Sequence, residues 1–133
     1  MSVAVTDSQA LLWYAIGPAR RLGRRARALF EQGESGRATI YVPTLVLVDI
    51  AEAIHRGVIV CQPGFTRWSN RLFSSGGFLA ADLTPDVVYE AEALYNVPER
   101  GDRLIAATAL SLGCPLITSD PAIGRASGVT TVW

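Results

Sequence analysis

Short strand-like segments alternate with helical segments along the whole chain, and this alternation constrains the fold more than any other feature. The strands are predicted at residues 2–6, 38–42, 77–83, 115–118 and 128–133. The helices are predicted at residues 8–17, 19–33, 44–57, 65–75, 84–96 and 102–112. Chains that alternate in this way form α/β domains. We therefore predict a mostly parallel central sheet with helices on both faces.

The length of the chain fits one globular unit. It has 133 residues, half of them apolar, which suffices to bury one core but not two. We therefore predict a single domain over residues 1–133. No apolar run is long enough to cross a bilayer, and the N-terminus has no export signal. We expect a cytoplasmic protein with no membrane partner.

Several kinds of site are excluded by residues that are rare or missing. All twelve cationic residues are arginine, so no reaction that needs a lysine is available. Cys61 and Cys114 lie far apart without a CxxC motif, and His55 is the only histidine. This pattern argues against a structural zinc site, and a disulfide is not expected. The formal net charge is zero, so the molecule as a whole does not attract nucleic acid.

The stretch GDRLIAATALSLGCPLITSD, residues 101–120, carries an aspartate at each end of an apolar helix–strand unit. The strand must run back along the helix, and both elements span roughly 16 Å. Asp102 and Asp120 should therefore meet at one edge of the sheet. Asp7 ends the first strand, and the carboxyl ends of parallel strands share the edge where such folds bind ligands. We predict that these three carboxylates converge.

A fourth carboxylate is predicted from the helix after the second strand. Asp49 follows the apolar run TLVLV, and Glu52 lies one turn further on at roughly the same face. A divalent cation is the natural partner for such a group, because no lysine exists to neutralise it. Hard carboxylate oxygens favour Mg²⁺ or Mn²⁺. A cation of this kind leaves positions open for water and phosphate, as phosphodiester hydrolysis requires.

Each aspartate also has a purely structural interpretation. Asp7 and Asp102 could be helix N-caps, and Asp120 could be a turn residue ahead of proline. Taken singly, these interpretations compete with a functional one. The predicted convergence of the carboxylates is what favours a site.

Four stretches of the chain resemble the PIN-domain ribonucleases, in particular the VapC-type toxins of bacterial toxin–antitoxin pairs. They are AVTDSQALLWYA, YVPTLVLVDIAEAIHRG, GDRLIAATALSLGCPLITSD and GVTTVW, in the family's order and spacing. The resemblance implies catalytic and metal-binding roles for four carboxylates, which are Asp7, Asp49, Asp102 and Asp120. The additional site residues that it suggests are Glu52, Thr118 and Ser119. The family's second acid is usually glutamate, and the side chain of Asp49 is one methylene shorter.

The activity that this resemblance implies is that of a Mg²⁺- or Mn²⁺-dependent endoribonuclease that prefers single-stranded RNA. It also implies a homodimer and a small antitoxin protein that silences the enzyme. A second interpretation is a PIN-like module that binds RNA or protein but holds metal poorly, because Asp49 is short. Phosphoacceptor receivers and haloacid-type phosphatases need a lysine, and the latter need an aspartate where Gln9 stands.

Two groups of side chains outside the carboxylates have both a functional and a structural interpretation. The arginines at 20, 21, 24, 25 and 27 could bind RNA phosphates or an acidic antitoxin segment, or form a solvated helix face. Trp13 and Tyr14 could stack on bases or on a partner, or pack in the core. His55 has no evident partner, and we assign it no catalytic role.

Overall fold

The computed structural model describes residues 1–133 and contains one five-stranded sheet. The strands are β1 (Ser2–Thr6), β2 (Ala38–Pro43), β3 (Phe78–Ala81), β4 (Leu116–Ile117) and β5 (Thr131–Val132). Their order is β3-β2-β1-β4-β5, and every neighbouring pair is parallel. The predicted α/β class is confirmed, and the sheet is parallel throughout.

Helices cover both faces of this sheet. They are α1 (Ser8–Ala15), α2 (Arg24–Glu34), α3 (Thr44–His55), α4 (Phe65–Ser74), α5 (Pro85–Ala91), α6 (Arg100–Leu112) and α7 (Pro121–Ser127). Three consecutive residues of β1, Ala4, Val5 and Thr6, are fully buried. Successive strand side chains point to opposite faces, so both faces of β1 must be covered. None of the helices is both long and apolar enough to cross a membrane.

Three helices differ from the sequence-based prediction. The segment predicted as one helix at 19–33 is a 3₁₀ turn at Ala19–Arg21 followed by α2, because Leu22 and Gly23 are extended between them. The helix predicted at 84–96 ends at Ala91, and the turns that follow it bury Leu94 and Val97 in the core. Helix α7 was not predicted.

The connection from α6 to β4 brings the predicted carboxylates to one edge. Glu99 caps the start of α6, and Gly113 ends the helix in the left-handed conformation at φ 67°, which glycine adopts without a steric cost. The chain then reverses into β4, which pairs Leu116 with Val5 and Ile117 with Thr6. The residues that follow β1 and β4 therefore lie side by side.

Candidate active site

The four predicted aspartates line a single cavity of about 210 Å³. They come from four different elements: Asp7 follows β1, Asp49 lies in α3, Asp102 lies in the first turn of α6 and Asp120 follows β4. The other residues of the wall are Ser8, Gln9, Glu99, Gly101, Ile105, Thr118, Ser119 and Ile123. The convergence expected from the strand and helix lengths is therefore present in the structure.

The cavity lies at the point where the order of the strands reverses. From β1 the chain moves to β2 and β3 on one side, and then crosses back to β4 and β5 on the other side. In a parallel sheet the crevice beyond the carboxyl ends of the strands at such a point is where ligands bind. Asp7 and Thr118 follow β1 and β4, the two strands that border the reversal.

Asp7 is held by the backbone and by a neighbouring hydroxyl group. Its Oδ1 accepts a hydrogen bond of 2.8 Å from the backbone N–H of Ala10, so the residue caps α1. Burial raises the pKa of Asp7, and the repulsion of Asp120 adds to this rise. Hydrogen bonds from the Thr118 hydroxyl and from Ala10 lower the pKa in part. Asp7 therefore combines an N-cap with a carboxylate that is costly to ionise.

Asp49 reaches the cavity with the help of a serine that was not predicted. The Ser8 hydroxyl donates a hydrogen bond of 2.5 Å to Oδ2 of Asp49, which ties α3 to the start of α1. Glu52 is exposed and is not part of the cavity wall. Asp49 and Glu52 are three residues apart, which corresponds to a rotation of about 300° around the axis of α3. This is about 60° short of a full turn, so their side chains point about 60° apart. This rotation carries Glu52 away from the other carboxylates.

Asp102 is not the N-cap of α6. That role belongs to Glu99, whose Oε2 accepts a hydrogen bond of 2.6 Å from the backbone N–H of Asp102. Burial raises the pKa of Asp102 to about 6, and the charges of Glu99, Asp7, Asp120 and Asp49 add to the rise in that order. Glu99 is thus a fifth carboxylate in the wall, and no sequence pattern predicted it.

Asp120 caps α7, which begins immediately after it. Its Oδ1 accepts a hydrogen bond of 2.9 Å from Ala122 N–H, and its own N–H donates to Oγ1 of Thr118 at 3.2 Å. Thr118 is buried, whereas Ser119 is exposed, and both line the cavity. The Thr118 hydroxyl therefore contacts the two aspartates that follow β1 and β4.

The chemistry of the wall fits a hard divalent cation. Five carboxylates line the cavity and no arginine or histidine does. No group of three or more His, Cys, Asp or Glu side chains is arranged to hold a metal ion as it stands. The fit therefore depends on the side chains of the wall, which offer carboxylate, hydroxyl and amide oxygens and no imidazole or thiolate. Such ligands suit Mg²⁺ and Mn²⁺.

The family model for the PIN domain matches residues 4–129 of this chain. The chain belongs to the PIN domain family. The match includes all four aspartates of the cavity, β1 from Ala4 onward, the strands β2, β3 and β4, and all seven helices, and it ends before β5. A search of curated protein sequences finds no match for this PIN domain.

Solved structures share the fold of this PIN domain at low sequence identity. VapBC2 from Rickettsia felis, bound to a promoter DNA fragment, is 13% identical with a TM-score of 0.71, over 98% of this chain and 97% of that chain. VapBC-1 from nontypeable Haemophilus influenzae is 11% identical with a TM-score of 0.68, over 98% and 96%. FitAcB from Neisseria gonorrhoeae is 15% identical with a TM-score of 0.62, over 98% and 96%. At such identities the likeness establishes the fold alone.

Proposed function

We propose that this PIN domain is a metal-dependent endoribonuclease that hydrolyses phosphodiester bonds in RNA. The observation that carries the proposal is the convergence of Asp7, Asp49, Asp102 and Asp120 on one cavity at the reversal of the strand order. Glu99, Thr118 and Ser119 complete the oxygen-rich wall.

The aspartates would hold Mg²⁺ or Mn²⁺, which activates water and stabilises the charge of the leaving oxygen when it is bound. The protein's own residues hold the aspartate side chains in position. Ser8 orients the carboxylate of Asp49, and the backbone of α1 orients Asp7. The N-cap formed by Glu99 fixes the first turn of α6, from which Asp102 projects. The carboxylates of Asp49 and Asp7 are thus anchored by hydrogen bonds of the fold, which limits the side-chain entropy lost when the cation binds.

The activity is tested with purified protein and several single-stranded RNAs, in Mg²⁺, in Mn²⁺ and in chelator. We expect cleavage only with metal, and a loss of at least a hundredfold in Asp7→Asn, Asp102→Asn and Asp120→Asn, since each removes a charge from the cation's ligands. The matched control is Asp86→Asn, an exposed aspartate of α5 outside the cavity. Equal cleavage by the parent and all three site variants would show that the activity belongs elsewhere.

A weakly catalytic module that binds RNA or protein is the second candidate. The observation that favours this candidate is the short side chain of Asp49, which lines the cavity from α3 where the family usually has the longer glutamate. Binding of RNA without cleavage in either metal would support this candidate against the enzyme.

We further propose that the protein is the toxin of a type II toxin–antitoxin pair, acts in the cytoplasm and forms a homodimer. The support is that structural relatives are described as a toxin–antitoxin complex from Klebsiella pneumoniae and as VapBC assemblies. Light scattering tests the dimer by comparing the mass in solution with twice the 14.3 kDa of one chain. Growth arrest on expression, relieved by co-expression of a small partner protein, tests the toxin role.

A further inference from the structure

Five exposed arginines are concentrated at the start of α2 and in the 3₁₀ turn before it. They are Arg20, Arg21, Arg24, Arg25 and Arg27, and we call them the arginine surface. The sequence contains no aspartate or glutamate from Ser8 to Phe30. In a chain whose formal net charge is zero, this segment is a strong local concentration of positive charge.

The protein does little to neutralise this charge internally. Arg27 donates a hydrogen bond of 2.6 Å to the carbonyl oxygen of Ala19, and the guanidinium of Arg21 lies 5.7 Å from the centre of the Trp13 ring. Arg24 and Arg25 occupy the first turn of α2, which holds no acidic residue. Cations are unfavourable at this end of a helix and repel one another. The free protein therefore carries an electrostatic cost that a bound polyanion would relieve.

A pair of tryptophans connects the arginine surface to the wall of the acidic cavity. Thr118, which lines the cavity, donates a backbone hydrogen bond of 3.2 Å to Val132. The next residue, Trp133, packs against Gly23 so tightly that a Cβ at Gly23 would lie 2.2 Å from the Trp133 carbonyl carbon. Trp133 also meets Trp13, with ring centres 5.8 Å apart. Arg24, the residue after Gly23, is therefore linked to the cavity wall through Trp133 and Val132.

We propose that the arginine surface binds backbone phosphates of the RNA strand beside the bond that is cut. This inference rests on the proposed function, because it states where the RNA substrate lies on the surface of the protein. Five carboxylates line the cavity and repel a phosphate backbone, so cations nearby are needed to hold the strand there. Guanidinium groups bind phosphate through paired hydrogen bonds.

The test measures binding without cleavage. Every protein carries Asp102→Asn, the buffer contains chelator, and the ligand is a short fluorescein-labelled single-stranded RNA followed by anisotropy at several salt concentrations. Adding Arg24→Gln with Arg25→Gln should weaken binding about tenfold at physiological salt. It should also lower the slope of log K against log salt by about 1.4, because each lost contact with single-stranded RNA contributes about 0.7.

The matched control is Arg37→Gln with Arg56→Gln. These two exposed arginines lie just before β2 and just after α3, toward the amino ends of the strands and away from the cavity. This pair should change the affinity less than twofold and leave the salt slope unaltered. A second pair, Arg20→Gln with Arg21→Gln in the 3₁₀ turn, should behave like Arg24 and Arg25. Melting curves check that every variant is folded.

Equal RNA affinity in the arginine-surface pairs and the control pair would overturn the inference. The inference would also be overturned if labelled polyglutamate, but not RNA, bound the arginine surface, because the partner would then be an acidic protein. These results are separate from the proposed function. If the parent cleaves RNA but all pairs bind equally, only the arginine surface is wrong; if RNA binds through the arginines but is not cleaved, only the catalytic proposal is wrong.

Discussion

At the scale of single residues, some carboxylates of the cavity also cap a helix, whereas others contribute only their charge. Asp7 and Asp120 each cap a helix while lining the cavity, whereas Asp102 caps nothing because Glu99 does so. Asparagine is a good N-cap. Substitution to asparagine at Asp7 or Asp120 therefore retains the cap and removes the charge, and at Asp102 it removes a charge that the helix cap does not use.

The raised pKa of Asp102 predicts how stability depends on pH without metal. Its folded pKa of about 6 exceeds the unfolded value of 3.8, so the folded state binds more protons between these values and the stability falls as pH rises through them. Asp102 is partly exposed, so solvent screening limits the effect to about 1 kcal/mol. In chelator we expect Asp102→Asn to melt about 3 °C above the parent at pH 7, with the difference vanishing near pH 4. A variant that is less stable at pH 7 would contradict this.

Asp49 and Glu52 give a second residue-scale prediction. Asp49 lines the cavity and is oriented by Ser8, whereas Glu52 is exposed outside it. We expect Asp49→Asn to raise the metal concentration for half-maximal cleavage at least tenfold, and Glu52→Gln to change it less than twofold. The reverse order would transfer the second-acid role to Glu52.

At the scale of elements, the helices that the sequence did not predict correctly depend on contacts distant in the chain. The segment PAIGRAS forms α7 although Gly124 lowers its helix propensity. The cap from Asp120 and the burial of Ile123 offset that cost. The break before α2 has a similar origin, because Gly23 packs on the C-terminal Trp133. Neither contact can be predicted from local periodicity.

The Gly23 contact predicts a stability effect. A Cβ at this position would lie 2.2 Å from a backbone atom of Trp133, which cannot move like a flexible side chain. We expect Gly23→Ala to lower the free energy of unfolding by about 2 kcal/mol or more. The control is Gly17→Ala, where the nearest atoms are 3.3 Å away and a smaller change is expected. Urea titrations of both variants measure the difference, and equal values would show that the Gly23 packing is not tight in solution.

At the scale of the whole molecule, the sheet topology explains why much of the site could be predicted. Parallel pairing places the residues after β1 and β4 together even though β4 has two residues instead of the predicted four. The convergence of Asp7, Asp102 and Asp120 does not depend on such boundaries. Glu99 was missed because it follows no strand and enters the wall only through its capping of α6. The metal-binding roles of these residues stay a prediction.

The central claim is that the aspartates share one divalent cation, and the melting temperature tests it most directly. The parent, Asp120→Asn and Asp86→Asn are melted at pH 7 across a titration with Mn²⁺ and with Mg²⁺ after chelator treatment. A cation that binds only the folded state stabilises it by about 2.7 kcal/mol at a hundred times its Kd. We therefore expect a rise of several degrees for the parent and Asp86→Asn, and little or no rise for Asp120→Asn. No rise in the parent, or an equal rise in Asp120→Asn, would contradict the shared site.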